Sequence, residues 1–138
     1  MRQYLVVANQ TLGGEHLLEV IRQRAATNPS HFFVVVPATP PSEHLTWTEG
    51  EARSIAKGRL QGALNRFREL DLDVDGQVGD ASPLEAIRDA LQGRRCDEII
   101  LSTLPLGVSR WLKLDLPHRV ERAFGLPVVH VVAEMESP

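Results

Sequence analysis

The chain has 138 residues, 43% of them hydrophobic, so it is long enough to bury one substantial core. Its net charge of −3, from 15 basic and 18 acidic residues, argues against a nucleic-acid partner. A single cysteine, Cys96, excludes an intrachain disulfide, and no apolar run approaches the ~20 residues that span a bilayer, so we expect a cytoplasmic protein without a membrane partner.

The first predicted strand covers residues 4–8 (YLVVA), a continuous apolar run typical of a strand buried on both faces of a parallel sheet. A polar turn with two glycines follows over residues 9–14. From Glu15 onward the apolar residues recur at helical spacing, which predicts a helix. The segment Asn28-Pro29-Ser30 is expected to end it.

The second predicted strand covers residues 31–36 (HFFVVV), the most hydrophobic piece of the chain. Residues 38–45 form a proline-rich loop that is longer than a strand-to-helix connection needs, and long loops of this kind are often functional. The longest predicted helix covers residues 49–70. Thr46 or Thr48 is expected to cap it, and Thr48 has the capping-box pattern because an acid follows three residues later.

The third predicted strand, residues 73–79, carries few apolar residues, so we expect it at an edge of the sheet. Asp80 or Ser82 is expected to cap the next helix, with Pro83 at its first position. Residues 98–101 form the fourth predicted strand.

The turn after the fourth strand, residues 102–110, leads into a segment predicted to be largely helical, with a new start at Leu116 or Pro117. Val128–Val132 (VVHVV) is the fifth predicted strand, expected at a sheet edge. Residues 134–138 form a polar tail that we expect to be mobile.

Strands that alternate with helices predict an α/β fold, with a five-stranded parallel sheet and helices on both faces. Residues 1–133 are expected to form this single domain. Ligands of such sheets bind outside the carboxyl ends of the strands. The turn after the fourth strand is the one place in the chain where hydroxyls, a glycine and an arginine gather at such an end.

The residues of this turn have two interpretations. Ser102, Thr103, Gly107, Ser109 and Arg110 together form a candidate site for a small anion or a nucleotide phosphate. In the alternative interpretation Ser102 and Thr103 end a strand, Ser109 caps a helix and Arg110 is solvated. The sequence does not decide between the two.

Other candidate sites are weaker. Trp111 could stack on a base beside Arg110, but a core or interface aromatic is the preferred interpretation, and His118 is expected at the surface. The five histidines and Cys96 have no metal-ligand spacing, so no metal site is expected. No nucleophile elbow, Walker motif or Gly-x-Gly-x-x-Gly is present, so we predict no catalytic residues.

Several of these segments, in this order, resemble the universal stress protein family. Residues 4–11 lie where that family has a strand ending in aspartate, and Gly79-Asp80 before an Ala-Ile helix resembles its Gly-Asp pair. Residues 97–101, Gly107-Val108-Ser109-Arg110 and the VVHVV strand resemble its C-terminal region. The resemblance implies a Rossmann-like sheet, similar to adenine-nucleotide hydrolases, with strand order 3-2-1-4-5. It also implies a homodimer formed through Val128–Val132.

Family members that bind ATP carry a glycine motif in this turn: Gly, two residues, Gly, nine residues, Gly, then Ser or Thr. This sequence departs from it, since Pro105 stands near the first glycine and Leu114-Asp115 near the last Gly-Ser pair. Leu114 is expected to crowd a phosphate and Asp115 to repel it. We therefore expect a binding or regulatory protein with no cofactor and without the standard ATP site.

The alternative is an adenine-nucleotide-binding protein that takes ATP or AMP with a non-standard phosphate grip. Its site would combine Asn9, which stands at the family's aspartate and could bond a ribose hydroxyl, with the backbone at Val36 and Ala38 and the turn after the fourth strand. A hydrolase or nucleotidyl-transfer enzyme of a related fold is a third possibility. The sequence offers it no recognisable nucleophile, base or metal set.

Overall fold

The structure is a computed structural model that describes residues 1–40 and 48–133. In chain order its elements are β1 (Arg2–Val7), α1 (Glu15–Thr27), β2 (Ser30–Pro37), α2 (Glu49–Glu69), β3 (Val74–Gly79), α3 (Pro83–Leu91), β4 (Glu98–Thr103), α4 (Arg110–Lys113), α5 (Leu116–Phe124) and β5 (Val128–Val132). None of these helices combines the length and the hydropathy of a membrane span. Thr46, Trp47, the later part of the proline-rich loop and the tail at residues 134–138 lie outside the described residues.

All five strands are parallel and lie in the order β3-β2-β1-β4-β5. The predicted fold class and strand order are therefore confirmed. β3 and β5 lie at the edges, as their predicted positions required. A strand with few apolar residues is tolerated at an edge because it needs less covering there than a central strand.

The helices divide between the two faces of the sheet. The direction of the crossovers explains this: the chain moves from β1 outward to β3, then returns past β1 to β4 and β5, so right-handed crossovers put later helices on the opposite face. On one face Ile21 of α1 and Phe67 of α2 pack against Val6 and Val34. The other face holds α3, α4 and α5.

Two glycines in β3 allow helices to approach this edge strand closely. A Cβ at Gly76 would lie 2.8 Å from Leu60 Cδ1 of α2, and a Cβ at Gly79 would lie 2.6 Å from Ala86 Cβ of α3. Both distances are too short for real carbon atoms. Helix–sheet packing therefore explains Gly79 of the Gly79-Asp80 pair, while Asp80 Oδ1 accepts a hydrogen bond from the Ser82 N–H at 2.8 Å.

Local signals placed most element ends correctly. Thr48 caps α2, since its Oγ1 accepts a hydrogen bond from the Glu51 N–H at 3.1 Å, and α5 begins at Leu116 after Asp115 adopts φ 56°. The fourth strand is longer than predicted. Ser102 and Thr103 belong to it because they pair with the end of β5. Their interpretation as strand-ending residues is thus confirmed.

Candidate ligand-binding site

A cleft of about 340 Å³ opens at the carboxyl ends of β1 and β4. The chain leaves these neighbouring strands in opposite directions, so the cleft lies at the switch point where α/β sheets bind ligands. Six of the eight residues predicted for a ligand site line it, namely Asn9, Ser102, Thr103, Gly107, Ser109 and Arg110. The fold therefore brings the turn after β4 together with the turn after β1.

Buried hydroxyl groups join the strands beneath the cleft. Thr11 Oγ1 and Ser102 Oγ are 2.6 Å apart and both side chains are buried, so the ends of β1 and β4 are tied by one hydrogen bond. Thr103 Oγ1 donates to the Leu104 carbonyl at 2.9 Å and lies 2.8 Å from His130 Nε2 on β5. Because a hydroxyl has one hydrogen, His130 Nε2–H donates to Thr103 when Thr103 donates to Leu104. Partial burial lowers the pKa of His130, which favours this neutral ring.

The Asn9 side-chain amide is engaged on all sides. Its Nδ2 donates to the carbonyls of Pro37 at 2.8 Å and Thr39 at 3.2 Å, and its Oδ1 accepts from Arg59 on α2. The two carbonyls fix the amide orientation because a carbonyl can only accept. Asn9 thus fastens the segment after β2, and through Arg59 the helix α2, to the end of β1. Binding of a ribose hydroxyl by Asn9 stays a prediction. The hydroxyl would have to share the hydrogen-bonding groups of this amide with Pro37, Thr39 and Arg59.

Arg59 is a partner that sequence reasoning missed. It is half-buried, burial lowers the pKa of its guanidinium, and the described carboxylates form no ion pair with it. Fifty residues separate it from Asn9, and nothing in its helical neighbourhood signals the contact.

The turn between β4 and α4 is held by its own backbone. The Pro105 carbonyl accepts from the N–H groups of Val108 at 3.2 Å and Ser109 at 3.1 Å, and Gly107 has φ +102°, a value that favours glycine. Ser109 Oγ accepts from the Leu112 N–H at 3.2 Å and so caps α4, as the alternative interpretation predicted. The glycine and the serine therefore have structural roles whether or not a ligand binds.

The cleft lining is positively charged. Arg110 and Lys113 both line it and both are exposed, while no carboxylate occurs among the lining residues within 1–40 and 48–133. The two bases lie three residues apart, so they share one side of α4. Trp111 between them is buried against Leu101 and Val120, which confirms it as a core aromatic, although it also lines the cleft.

Some residues that the sequence singled out lie elsewhere. Val36 and Ala38 are buried and do not line the cleft; Thr39 and Pro40, just beyond them, line it on this side. Leu114 is exposed and outside the lining, so it does not lie in the cleft where the motif had placed it, and the crowding of a phosphate by Leu114 stays a prediction.

Asp115 also lies outside the cleft lining, although the motif had placed it beside a bound phosphate. Its Oδ1 lies 2.8 Å from Nδ1 of the exposed His118. The reason for this position is geometric: α4 ends at Lys113, and the left-handed residue Asp115 turns the chain away into α5. Repulsion of a phosphate by Asp115 stays a prediction.

Three of the lining residues that the sequence analysis missed had a signal that could have identified them. Thr11 and Thr39 each follow a strand by a few residues, so the carboxyl-end rule would have selected them. Lys113 follows Arg110 by one helical turn, which is also a detectable signal.

Chemistry of other kinds has no support in residues 1–40 and 48–133. No cluster of three metal-ligating side chains occurs there. Burial raises the pKa of the Cys96 thiol, and its Sγ donates to the Glu98 carbonyl at 3.3 Å, so the thiolate that a nucleophile requires is disfavoured.

Comparison with known proteins places the fold. No protein-family model matches the chain, and no curated protein matches it in sequence. Among solved structures, a universal stress protein from Archaeoglobus fulgidus superposes with a TM-score of 0.64 at 15% identity, covering 97% of this chain and 94% of that one. A universal stress protein family protein from Arabidopsis thaliana, with AMP bound, gives 0.64 at 8% identity over 97% and 93%. One from Burkholderia pseudomallei gives 0.61 at 13% identity over 94% of each chain. The resemblance drawn from the sequence is thus confirmed as a likeness of fold: this chain has the fold of the universal stress proteins.

Proposed function

We propose that this protein is a non-catalytic binding module whose cleft holds a phosphate monoester, with AMP as the first candidate. The observation that carries the proposal is the pairing of two basic side chains, Arg110 and Lys113, with hydroxyl groups in a lining whose described residues include no carboxylate. Such a lining attracts an anion and offers donors to its oxygens. The AMP bound in the Arabidopsis thaliana structure supports a mononucleotide at this fold.

Size and charge favour a monophosphate over a triphosphate. A volume of about 340 Å³ is near the lower end of the ~300–1,000 Å³ typical of small-molecule pockets. A triphosphate usually brings Mg²⁺, which proteins hold through one or two carboxylates. The lining residues in the described part of the chain supply none. This supports the expectation that the standard ATP site is absent.

The test is a titration of AMP, ATP and inorganic phosphate, followed by Trp111 fluorescence in a Trp47→Phe background and by thermal shift. AMP at 100 times its Kd should stabilise the fold by ~2.7 kcal/mol. The double variant Arg110→Gln/Lys113→Gln should weaken AMP binding at least tenfold. Arg119→Gln is the matched control, because Arg119 is exposed on α5 and does not line the cleft. No response to millimolar AMP would remove AMP as the candidate ligand, and equal losses of AMP affinity in both variants would contradict the assignment of the cleft.

A regulatory protein that binds no nucleotide is the second candidate. The Asn9 amide favours it, because its two hydrogens and its oxygen already have protein partners. Under this alternative, inorganic phosphate raises the melting temperature in the titration above, and AMP raises it no further than phosphate does.

We also propose a homodimer formed through β5. This strand is a sheet edge, and Val132 at its end is exposed, so one row of backbone groups and an apolar side chain lack cover within the described chain. Light scattering after size exclusion should give twice the monomer mass, and Val132→Lys should shift it toward the monomer. A wild-type monomer at micromolar concentration would refute the dimer.

A further inference from the structure

The loop before α4 exposes apolar side chains beside the cleft. Leu106 is 80% exposed and Val108 is 50% exposed. Of the six large hydrophobic side chains exposed within residues 1–40 and 48–133, three lie between positions 106 and 114. The turn at Pro105 and the conformation of Gly107 hold the loop in this form through backbone bonds, so its exposure is built into the local structure.

This apolar loop is continuous with an apolar part of the cleft. Pro40, Leu104, Val108 and Trp111 all line the cleft, and Val108 belongs to both the lining and the exposed loop. Leu106 lies two residues before Val108 in the same loop, so a ligand that occupies the cleft and extends past Val108 leaves the cleft beside this exposed side chain.

The positive charge of the same segment favours a ligand whose other end is anionic. Residues 104–114 (LPLGVSRWLKL) contain two bases and no acid, and both bases line the cleft. A neutral apolar ligand would leave these cations unpaired, and inorganic phosphate would leave the loop uncovered. A molecule with an anionic head and an aliphatic chain satisfies both.

We propose that the cleft binds phosphate monoesters that carry an aliphatic chain, with the phosphate at Arg110 and Lys113 and the chain along Val108 and Leu106. The inference rests on the proposed function, because it requires the cleft to bind a phosphate monoester. It narrows the organic part to alkyl groups, which bind more tightly than a nucleoside.

The test compares ethyl, butyl, hexyl and octyl phosphate, each below its micelle concentration, with AMP by isothermal titration calorimetry. A fully buried methylene improves affinity about fourfold, and a chain on an open rim is covered on one side, so we expect about twofold per methylene. From ethyl to octyl phosphate the Kd should fall on the order of 60-fold.

Leu106→Ser should reduce this dependence on chain length and leave the Kd for ethyl phosphate unchanged, because Leu106 does not line the cleft. Leu70→Ser is the matched control. Leu70 is 41% exposed, but it follows the end of α2, at the amino end of the sheet. Thermal melts of both variants verify folding.

Each outcome of the test has a distinct meaning. Binding of AMP with no dependence on chain length overturns this inference and leaves the proposed function standing. Failure of AMP and of every alkyl phosphate overturns the proposed function itself. A chain-length dependence that persists in Leu106→Ser overturns the assigned path. Binding to phosphatidylglycerol vesicles without binding to monomeric octyl phosphate also overturns it, and indicates a membrane surface instead of a single ligand.

Discussion

Replacement of Gly79 by alanine tests the close packing between β3 and α3. The new Cβ would lie 2.6 Å from Ala86 Cβ, 3.2 Å from Val35 Cγ1 and 3.3 Å from Ala86 Cα. The nearest of these contacts is with a rigid methyl group on a helix, so α3 must shift or the strand must bend. Overpacking of this kind costs ~1–3 kcal/mol, and we expect about 2 kcal/mol.

The expected change in melting temperature follows from the chain length. At roughly 2.1 cal/mol/K per residue, a chain of 138 residues has an unfolding entropy of ~0.29 kcal/mol/K. A loss of ~2 kcal/mol therefore lowers Tm by ~7 °C. Differential scanning calorimetry measures this shift directly.

Gly62→Ala is the control with the opposite sign. Gly62 lies on the exposed side of α2, and a Cβ there would meet no atom within 4 Å beyond the adjoining helix backbone and its chain neighbours. Alanine should therefore stabilise the helix by ~1 kcal/mol and raise Tm by ~3 °C. In a double-mutant cycle, Ala86→Gly should recover at least ~1 kcal/mol of the Gly79→Ala loss, because the two sites are in contact. A Tm for Gly79→Ala within ~1 °C of wild type, or strict additivity in the cycle, would refute the packing argument.

Three further predictions concern the cleft and its supports. Ser109→Ala removes the cap of α4 and should cost ~1 kcal/mol in urea unfolding, with a change in Trp111 emission; an unchanged midpoint would contradict the capping role. Asn9→Asp replaces two donors that face carbonyls with an acceptor and should cost ~1–3 kcal/mol despite the nearby Arg59, whereas equal stability would show that the amide network is dispensable. Because the pKa of His130 is lowered in the fold, the unfolded chain binds the proton more readily, so stability should decline as pH falls through ~6.5. Comparing urea unfolding at about pH 7.5 and about pH 5.5 for wild type and His130→Gln isolates this contribution, and identical pH dependences would exclude it.

The candidate site was predictable where a local rule applied. The carboxyl-end rule selected the turn after β4, and six of the eight predicted residues line the cleft. After β2 the sequence analysis selected Val36 and Ala38, which are buried, whereas Thr39 and Pro40 line the cleft. The rule does not say at which residue after a strand the chain becomes exposed. Leu114 and Asp115 were assigned to the site by analogy with a motif, and the early end of α4 carries them away from it.

The sequence by itself determined the local structure of this protein. Runs of apolar residues defined the strands, helical spacing defined the helices, and Thr48 and Ser109 capped α2 and α4 within three residues of their own positions. The poverty of apolar residues in β3 was enough to assign it to an edge. These features depend on neighbours one to four residues away, which a sequence displays directly.

Only the tertiary structure decided which side chains meet. Thr11 and Ser102 are 91 residues apart, Asn9 and Arg59 are 50 apart, and Thr103 reaches His130 on the next strand. These contacts depend on strand order and on the depth at which each helix packs, which in turn depend on the whole core. For the same reason the turn after β1, with Asn9 and Thr11, and the turn after β4, with Arg110 and Lys113, line one cleft only because β1 and β4 lie side by side.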